Sequence, residues 1–226
     1  MTNRVYAMDV DALDDEHLAQ AAHACLSAVR RARADRFASS RDRNLSLGAG
    51  LLLDFALRSL GLREKDMRYG EGKHHKPYFL NEPEIHFNLS HSGNMALCAL
   101  SDAEVGCDIE LVADIQELGV ASGYLSACEY DDILARPSEA ERAALFFRYW
   151  SLKESYMKFT GLGMSLPPDS LAVRMDAEQT AVVRNGIAES VCFTEYRTIP
   201  GYACAVCSTS DFSGIPLVRV AVAQAL

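Results

Sequence analysis

The sequence predicts an α+β fold made of two similar halves related by a pseudo-two-fold, with the active site at their interface. One observation behind this is the order strand, two helices, several strands, which occurs over residues 1–104 and again over 105–226 without a residue-level repeat. A second is compositional. With 226 residues, 49% of them hydrophobic and 23% charged, the chain can bury a sizeable core, and its length suits two units of ordinary domain size. Helical and strand faces of this kind are stable only when packed on one another, and a cleft between two packed halves is the natural place for a site.

Taken in order, Val5 to Val10 reads as a strand, and helical periodicity begins at Glu16, with Leu18, Ala22, Cys25, Leu26 and Val29 on one face. A second helix runs from about Asn44 to Leu60 with only Asp54 and Arg58 charged in its interior, and Gly61 is placed to cap it. Strand-like pieces follow at Tyr78 to Leu80, Glu84 to Leu89 and Met95 to Ser101, the last two joined by the turn-rich SHSGN. The second half opens with a strand from Val105 to Val112 and a helix around Ser126 to Leu134. A long helix then runs from Ser138 to about Thr160; Ser138 and Glu141 make a capping box, and Gly161 and Gly163 end it. Strands at Leu171 to Met175, Ala181 to Arg184, Ser190 to Thr198 and Tyr202 to Ser208 complete the reading.

Several function classes fall away. The longest nearly uncharged apolar stretch, Leu45 to Leu57, is broken by Asp54 and falls short of the ~20 residues needed to cross a bilayer. The first residues are acidic where a secretory signal carries positive charge, so a cytoplasmic protein is expected. Seven cysteines scattered through apolar segments suit a reducing compartment, and the Cys204–Cys207 pair sits in a strand-like run that reads as packing. The net charge of −9 argues against nucleic acid as a partner. Locally the sign reverses: Arg30, Arg31, Arg33, Arg36, Arg41 and Arg43 face only two acids in that stretch. This is either a solvated helix face or a site for a polyphosphate.

Three segments carry candidate chemistry. In VGCDIELV (105–112) alternation places Asp108 and Glu110 on one strand face, with Cys107, Ile109 and Leu111 on the other. The pair is either an outward polar edge or a converging set of hard oxygen donors that needs a cation such as Mg²⁺. In WSLKESYMK (150–158) Trp150, Glu154 and Lys158 share a stripe at i, i+4 and i+8, flanked by Lys153. In IHFNLSHSG (85–93) a strand runs into Ser90 and His91; no G-x-S-x-G elbow supports a hydrolase, and phosphate or hydroxyl binding suits them better. His74 and His75, beside Lys73 and Lys76, read as a polar, basic loop rather than a metal site.

Together HKPYF (75–79), IHFNLSHSG, VGCDIE and WSLKESYMKFTGLGMSLP (150–167) resemble, in order and spacing, the 4′-phosphopantetheinyl transferases. Length and two-half layout are similar to the surfactin-synthetase-activating branch, not to the short trimeric holo-acyl-carrier-protein synthases. The resemblance covers roughly Arg30 to Ser208. It implies an enzyme that moves the phosphopantetheine arm of coenzyme A onto a serine of an apo acyl or peptidyl carrier protein and releases 3′,5′-ADP. The first half, 1–104, would bind the nucleotide end, and the second, 105–226, would carry the metal site and the catalytic helix. A monomer is expected, since two halves supply both walls of one site.

By the same resemblance Asp108, Glu110 and Glu154 would hold Mg²⁺, or Mn²⁺ in its place, against the pyrophosphate. Glu154 is the implied general base for the carrier serine, and Lys158 would steady the departing 3′,5′-ADP. Lys76, Ser90, His91 and Gly161 would meet the nucleotide end, and Lys153 with Lys158 would approach the phosphates. Arg30 and Arg33 fall where the family places basic residues near the 3′-phosphate. A further family arginine falls on Asn44, and Arg43 or Arg41 takes its place with a shifted register. Glu129 matches a family acidic position whose role the sequence leaves open. The carrier is expected to dock on an apolar surface near the junction, using residues 119–126 and the start of the ACEYDD helix. The contrasting reading is a degenerate homologue that binds coenzyme A or carrier protein without transfer; the intact Asp108, Glu110, Glu154 and Lys158 speak against it. Another Mg²⁺-dependent nucleotidyl transferase lacks support, because no G-x-x-x-x-G-K-[ST] loop is present.

Overall fold

The computed structural model describes residues 3–114, 122–176 and 180–226. Two sheets lie face to face at its centre, each covered on its outer side by a helix. The first has the order β12-β1-β5-β4, built from β1 (Arg4–Asp9), β4 (His86–Ser92), β5 (Met95–Ser101) and β12 (Leu217–Arg219). The second has the order β10-β11-β6, from β6 (Val105–Leu111), β10 (Cys192–Glu195) and β11 (Tyr202–Ser208). Small hairpins add β2 (Tyr69–Glu71) with β3 (Pro77–Phe79), and β7 (Leu171–Met175) with β8 (Thr180–Arg184) and β9 (Ile187–Ala188).

Strand alternation makes the layers. In β1, Tyr6 and Met8 join a core with the leucines of α3 (Ser40–Arg58), whereas Val5 and Ala7 join a second core between the sheets. In β5, Ala96, Cys98 and Leu100 face α3, and Met95, Leu97 and Ala99 face inward. β11 divides likewise, with Cys204 and Val206 between the sheets and Ala205 and Cys207 in a third core under α5 (Glu139–Thr160). Each half is thus a sheet with one long helix on its outer face, the α+β pair that the sequence predicts. The four buried cysteines among the seven are free and packed in these cores, and burial raises the thiol pKa values of Cys204 and Cys207.

Boundaries differ where tertiary contacts decide. The first helix stops as α1 (Glu16–Cys25), and α2 (Ala28–Ala34) restarts after Ser27, whose hydroxyl accepts from the Arg30 amide at 3.3 Å; Val29 is consequently 56% exposed rather than on an apolar face. β4 extends through Ser90, His91 and Ser92, which the sequence places in a turn, and the strand expected over 190–198 shortens to β10. α4 (Ala127–Leu134) and α5 stand where expected, the latter with its Ser138–Glu141 capping box and with Gly161 ending it at φ 69°. Sequence reading gives no sign of β2, β9, β12 or the last helix α6 (Val222–Ala225). β12 pairs in parallel with β1, and Val222 and Ala225 enter the α3 core, so the chain's last residues rejoin the first half.

Candidate active site

β4 and β6 belong to different sheets yet run side by side, and β4 side chains stitch them together. The Cys107 amide donates to Asn88 Oδ1 at 2.9 Å, Ile109 N to Ser90 Oγ at 3.4 Å, and Leu111 N to Ser92 Oγ at 3.1 Å. Three alternate side chains of β4 therefore satisfy three alternate amides of β6, a constant 19 positions apart. The other face of β6 carries Gly106, Asp108 and Glu110 against α5. A Cβ on Gly106 would stand 2.1 Å from the Ser155 carbonyl oxygen and 2.3 Å from Phe159 N, so only glycine lets helix and strand approach this closely.

That approach gathers the predicted residues. Asp108, buried to 1% exposure, accepts through Oδ1 from Ser90 Oγ at 2.8 Å and from Lys158 Nζ at 2.6 Å. Among the described residues its buried Oδ2 has no hydrogen-bond partner. Glu110 accepts from Ser92 Oγ at 2.7 Å and from Trp150 Nε1 at 3.3 Å. Glu154 reaches Lys158 Nζ at 3.2 Å, one turn along α5. The i, i+4, i+8 stripe of Trp150, Glu154 and Lys158 thus faces β6 as a unit.

Electrostatics follow from crowding carboxylates in a desolvated place. Burial raises the Glu110 pKa, with Asp108 and Glu154 adding to the shift. Burial also raises Glu154, opposed by Lys158 and reinforced by Asp108. For Lys158 burial disfavours the charge, but Asp108 and Glu154 outweigh it, so its pKa is raised. The His91 pKa is lowered, by desolvation first and then by the charges of Lys158 and Arg33.

A cavity of about 340 Å³ joins the two halves at this point. Its wall brings together Arg30, Arg33, Ser90 and His91 with Asp108, Glu110, Glu154 and Lys158. Cations from α2 and carboxylates from β6 and α5 thus share one wall. His75 also lines it, in a left-handed conformation at φ 64°. From sequence His75 reads as part of a basic loop and opens the HKPYF motif, with no role given to it as a site residue. An adjoining cavity of about 710 Å³ is lined by Lys76 and Gly161, and it shares Pro77 and Phe87 with the first. There Lys76 Nζ donates to Glu104 at 2.7 Å, to the Phe159 carbonyl at 3.0 Å and to the Val105 carbonyl at 3.1 Å.

Two expectations need correction. Lys153 does not approach the cavity: it is fully buried on another face of α5, 2.6 Å from Glu129 and 3.0 Å from the carbonyls of Tyr124 and Pro168. The reason is angular, since neighbouring helix positions are about 100° apart and Glu154 already faces β6. Glu129 gains its role from the same contacts: it also accepts from Ser126 N at 2.7 Å and Val173 N at 2.6 Å, tying α4, α5 and β7 together. Arg43 does not line the cavity either, because it turns to Glu16 on α1 at 3.3 Å. Asn44 bonds Asp14 at 3.0 Å, and Arg41 Nε donates to the Gly93 carbonyl at 3.2 Å. Of the docking segment expected over 119–126, residues 119–121 lie outside the described residues.

Among the described residues no three His, Cys, Asp or Glu side chains are gathered closely enough to hold a metal as they stand. The Lys158 ammonium is set among the carboxylates instead. The donor set nonetheless fits a hard divalent cation: it is oxygen only, and it includes the unpartnered buried Oδ2 of Asp108. Among the described residues no helix is long and apolar enough to cross a membrane.

Comparison with known proteins agrees with this geometry. The family model described as the 4′-phosphopantetheinyl transferase superfamily matches residues 104–207, and one described as 4′-phosphopantetheinyl transferase, N-terminal, matches residues 14–103. The chain is similar to 4′-phosphopantetheinyl transferase Sfp of Bacillus subtilis (strain 168), with 34% identity over 185 residues covering 81% of this chain and 82% of that protein. It is 33% identical over 210 residues to 4′-phosphopantetheinyl transferase psf-1 of Bacillus pumilus, covering 91% and 89%. To 4′-phosphopantetheinyl transferase HetI of Nostoc sp. it is 33% identical over 148 residues, covering 63% and 62%.

Proposed function

The chain belongs to the 4′-phosphopantetheinyl transferase superfamily, and from that premise we propose that the site between its halves moves the phosphopantetheine arm of coenzyme A onto a serine hydroxyl of an apo acyl or peptidyl carrier protein, releasing 3′,5′-ADP. The observation that carries the residue assignments is the shared cavity, whose wall holds Arg30 and Arg33 together with the Asp108, Glu110, Glu154 and Lys158 group. A substrate that carries both a ribose phosphate and a pyrophosphate suits a wall that offers arginines beside a set of hard oxygen donors.

Asp108, Glu110 and Glu154 would hold Mg²⁺, or Mn²⁺ in its place, with Asp108 Oδ2 as its most available donor. When bound, the ion neutralises charge on the pyrophosphate. Ser90 and Ser92 fix Asp108 and Glu110 through the hydrogen bonds described above, and Trp150 completes the hold on Glu110. Glu154 takes the proton of the carrier serine, directly or through one water. The serine oxygen bonds to the β-phosphorus, the bond to the bridging oxygen breaks, and the electron pair leaves with 3′,5′-ADP. Lys158 stands where it can meet that developing negative charge. Arg30 and Arg33 take the 3′-phosphate end, with Ser90 and His91 along the path. Lys76 and Gly161 form a wall for the base end, Lys76 through its aliphatic stem because its ammonium is already committed.

We place the protein in the cytoplasm, where its free cysteines stay reduced, and as a monomer, since one chain supplies both cavity walls. The test of the reaction is 3′,5′-ADP release from coenzyme A, expected only when an apo carrier and Mg²⁺ are both present. Coenzyme A binding without release on any carrier would favour the binder reading instead.

A further inference from the structure

Beneath α2 lies a carboxylate that the reaction does not use. Glu64, at 0% exposure, accepts from Ser27 N at 2.7 Å and from Ser27 Oγ at 2.7 Å, and it also accepts the Tyr69 hydroxyl. Its own amide donates to Asp54 at 2.8 Å, so the backbone at this point is fixed to α3. Ser27 is the residue before α2, and its hydroxyl in turn accepts from Arg30 N. Arg30 is itself buried at 6% exposure and lines the cavity. Its Nη2 donates to the Ser46 carbonyl at 3.3 Å, while its Nε has no partner among the described residues.

A buried guanidinium with an unsatisfied N–H at a cavity wall is costly unless an anion meets it and the protein holds it in place. Burial lowers its pKa from the ordinary value, and the Glu64 carboxylate is among the groups that oppose the shift. Gly50 leaves room for Leu26 at the start of this turn, since a Cβ there would stand 2.8 Å from Leu26 Cδ1 and would only touch Arg30 Nε, at 3.4 Å.

We propose that Glu64, with Ser27 and Tyr69, is a positioning residue that aims Arg30 at the anionic end of the substrate. The proposal rests on the reading of coenzyme A as the ligand of this cavity. Glu64 touches no substrate; it acts through the start of α2, where two Ser27 donors need both of its oxygens. A glutamine offers only one acceptor oxygen for these donors and carries no charge.

The test is a double-mutant cycle on coenzyme A affinity, measured by calorimetry on the full chain with Mg²⁺ present. Glu64→Gln is expected to weaken coenzyme A about tenfold in the natural background and less than about twofold in an Arg30→Ala background, as coupled residues do. The same variant is expected to raise KM for coenzyme A while kcat changes by less than about threefold, the pattern of a ground-state contact. A structural role alone would give equal losses in both backgrounds, and that result would overturn the proposal. Should Glu64→Gln fail to fold, Tyr69→Phe removes a single donor and is expected to weaken binding about threefold with the same dependence on Arg30; unchanged affinity there would likewise overturn it. If the natural protein does not bind coenzyme A, the functional reading falls and the proposal with it. If it binds and Glu64→Gln binds equally well, the reading stands and the positioning role falls.

Discussion

Lys158 Nζ lies 2.6 Å from one oxygen of Asp108, while the other oxygen of that carboxylate is buried without a partner among the described residues. The two residues come from α5 and β6, and the contact exists only because Gly106 lets the helix settle onto the strand. One half of the Asp108 carboxylate is thus occupied by a fixed cation, and the other half is where the proposed Mg²⁺ would bind.

Lys158→Ala is expected to lower kcat by about 10²-fold while KM for coenzyme A moves only a few-fold, because stabilisation of a leaving group is felt mainly in the transition state. Steady-state kinetics with an apo carrier checks this. Equal changes in kcat and in coenzyme A affinity would count against it.

Glu154→Gln keeps the shape of the side chain and removes the base. Turnover is expected to fall by at least about 10²-fold, while calorimetry still registers coenzyme A binding. Near-normal turnover would refute the assignment of the base.

Lys153 makes the opposite prediction to its neighbour. As half of a buried pair with Glu129, its replacement by alanine leaves an uncompensated carboxylate and is expected to cost about 3–5 kcal/mol of stability. Denaturant unfolding reads the loss. A well-folded Lys153→Ala protein with weakened coenzyme A binding would restore the phosphate-contact reading.

Asp54 gives a prediction in pH. Burial raises its pKa, but hydrogen bonds from Arg63, from the Glu64 amide and from Arg58 overcome this, and the net shift is downward. A folded pKa below the unfolded one contributes stability that is present above the unfolded value, near pH 4, and is lost as pH falls through the folded value. Asp54→Asn is therefore expected to lower stability at pH 7 by about 2–3 kcal/mol and to flatten the acid side of the stability curve. An unchanged acid limb in melting experiments from pH 3 to 7 would contradict it.

How far the sequence reveals the site depends on the range of the forces involved. Alternation places Asp108 and Glu110 on one face, and helical spacing places Trp150, Glu154 and Lys158 on one stripe; both are local patterns and the fold keeps them. Lys153 misleads because only its contact with Glu129, 24 positions away, shows which face it takes. Arg43 misleads for the same reason, through Glu16 on a separate helix. β12 leaves no local trace, since its three residues are a strand only by pairing with β1 at the far end of the chain. The β4 serines lay in a segment read as a turn, although Asn88, Ser90 and Ser92 at period 2 carried the signal of a strand with one polar face.

The measurement closest to the central claim is the intact mass of an apo acyl or peptidyl carrier protein after incubation with this protein, coenzyme A and Mg²⁺, with and without EDTA. The account predicts a gain of one phosphopantetheine on the carrier that EDTA abolishes and that Asp108→Ala fails to produce. A gain that survives EDTA, or one that Asp108→Ala still gives at the natural rate, would contradict it.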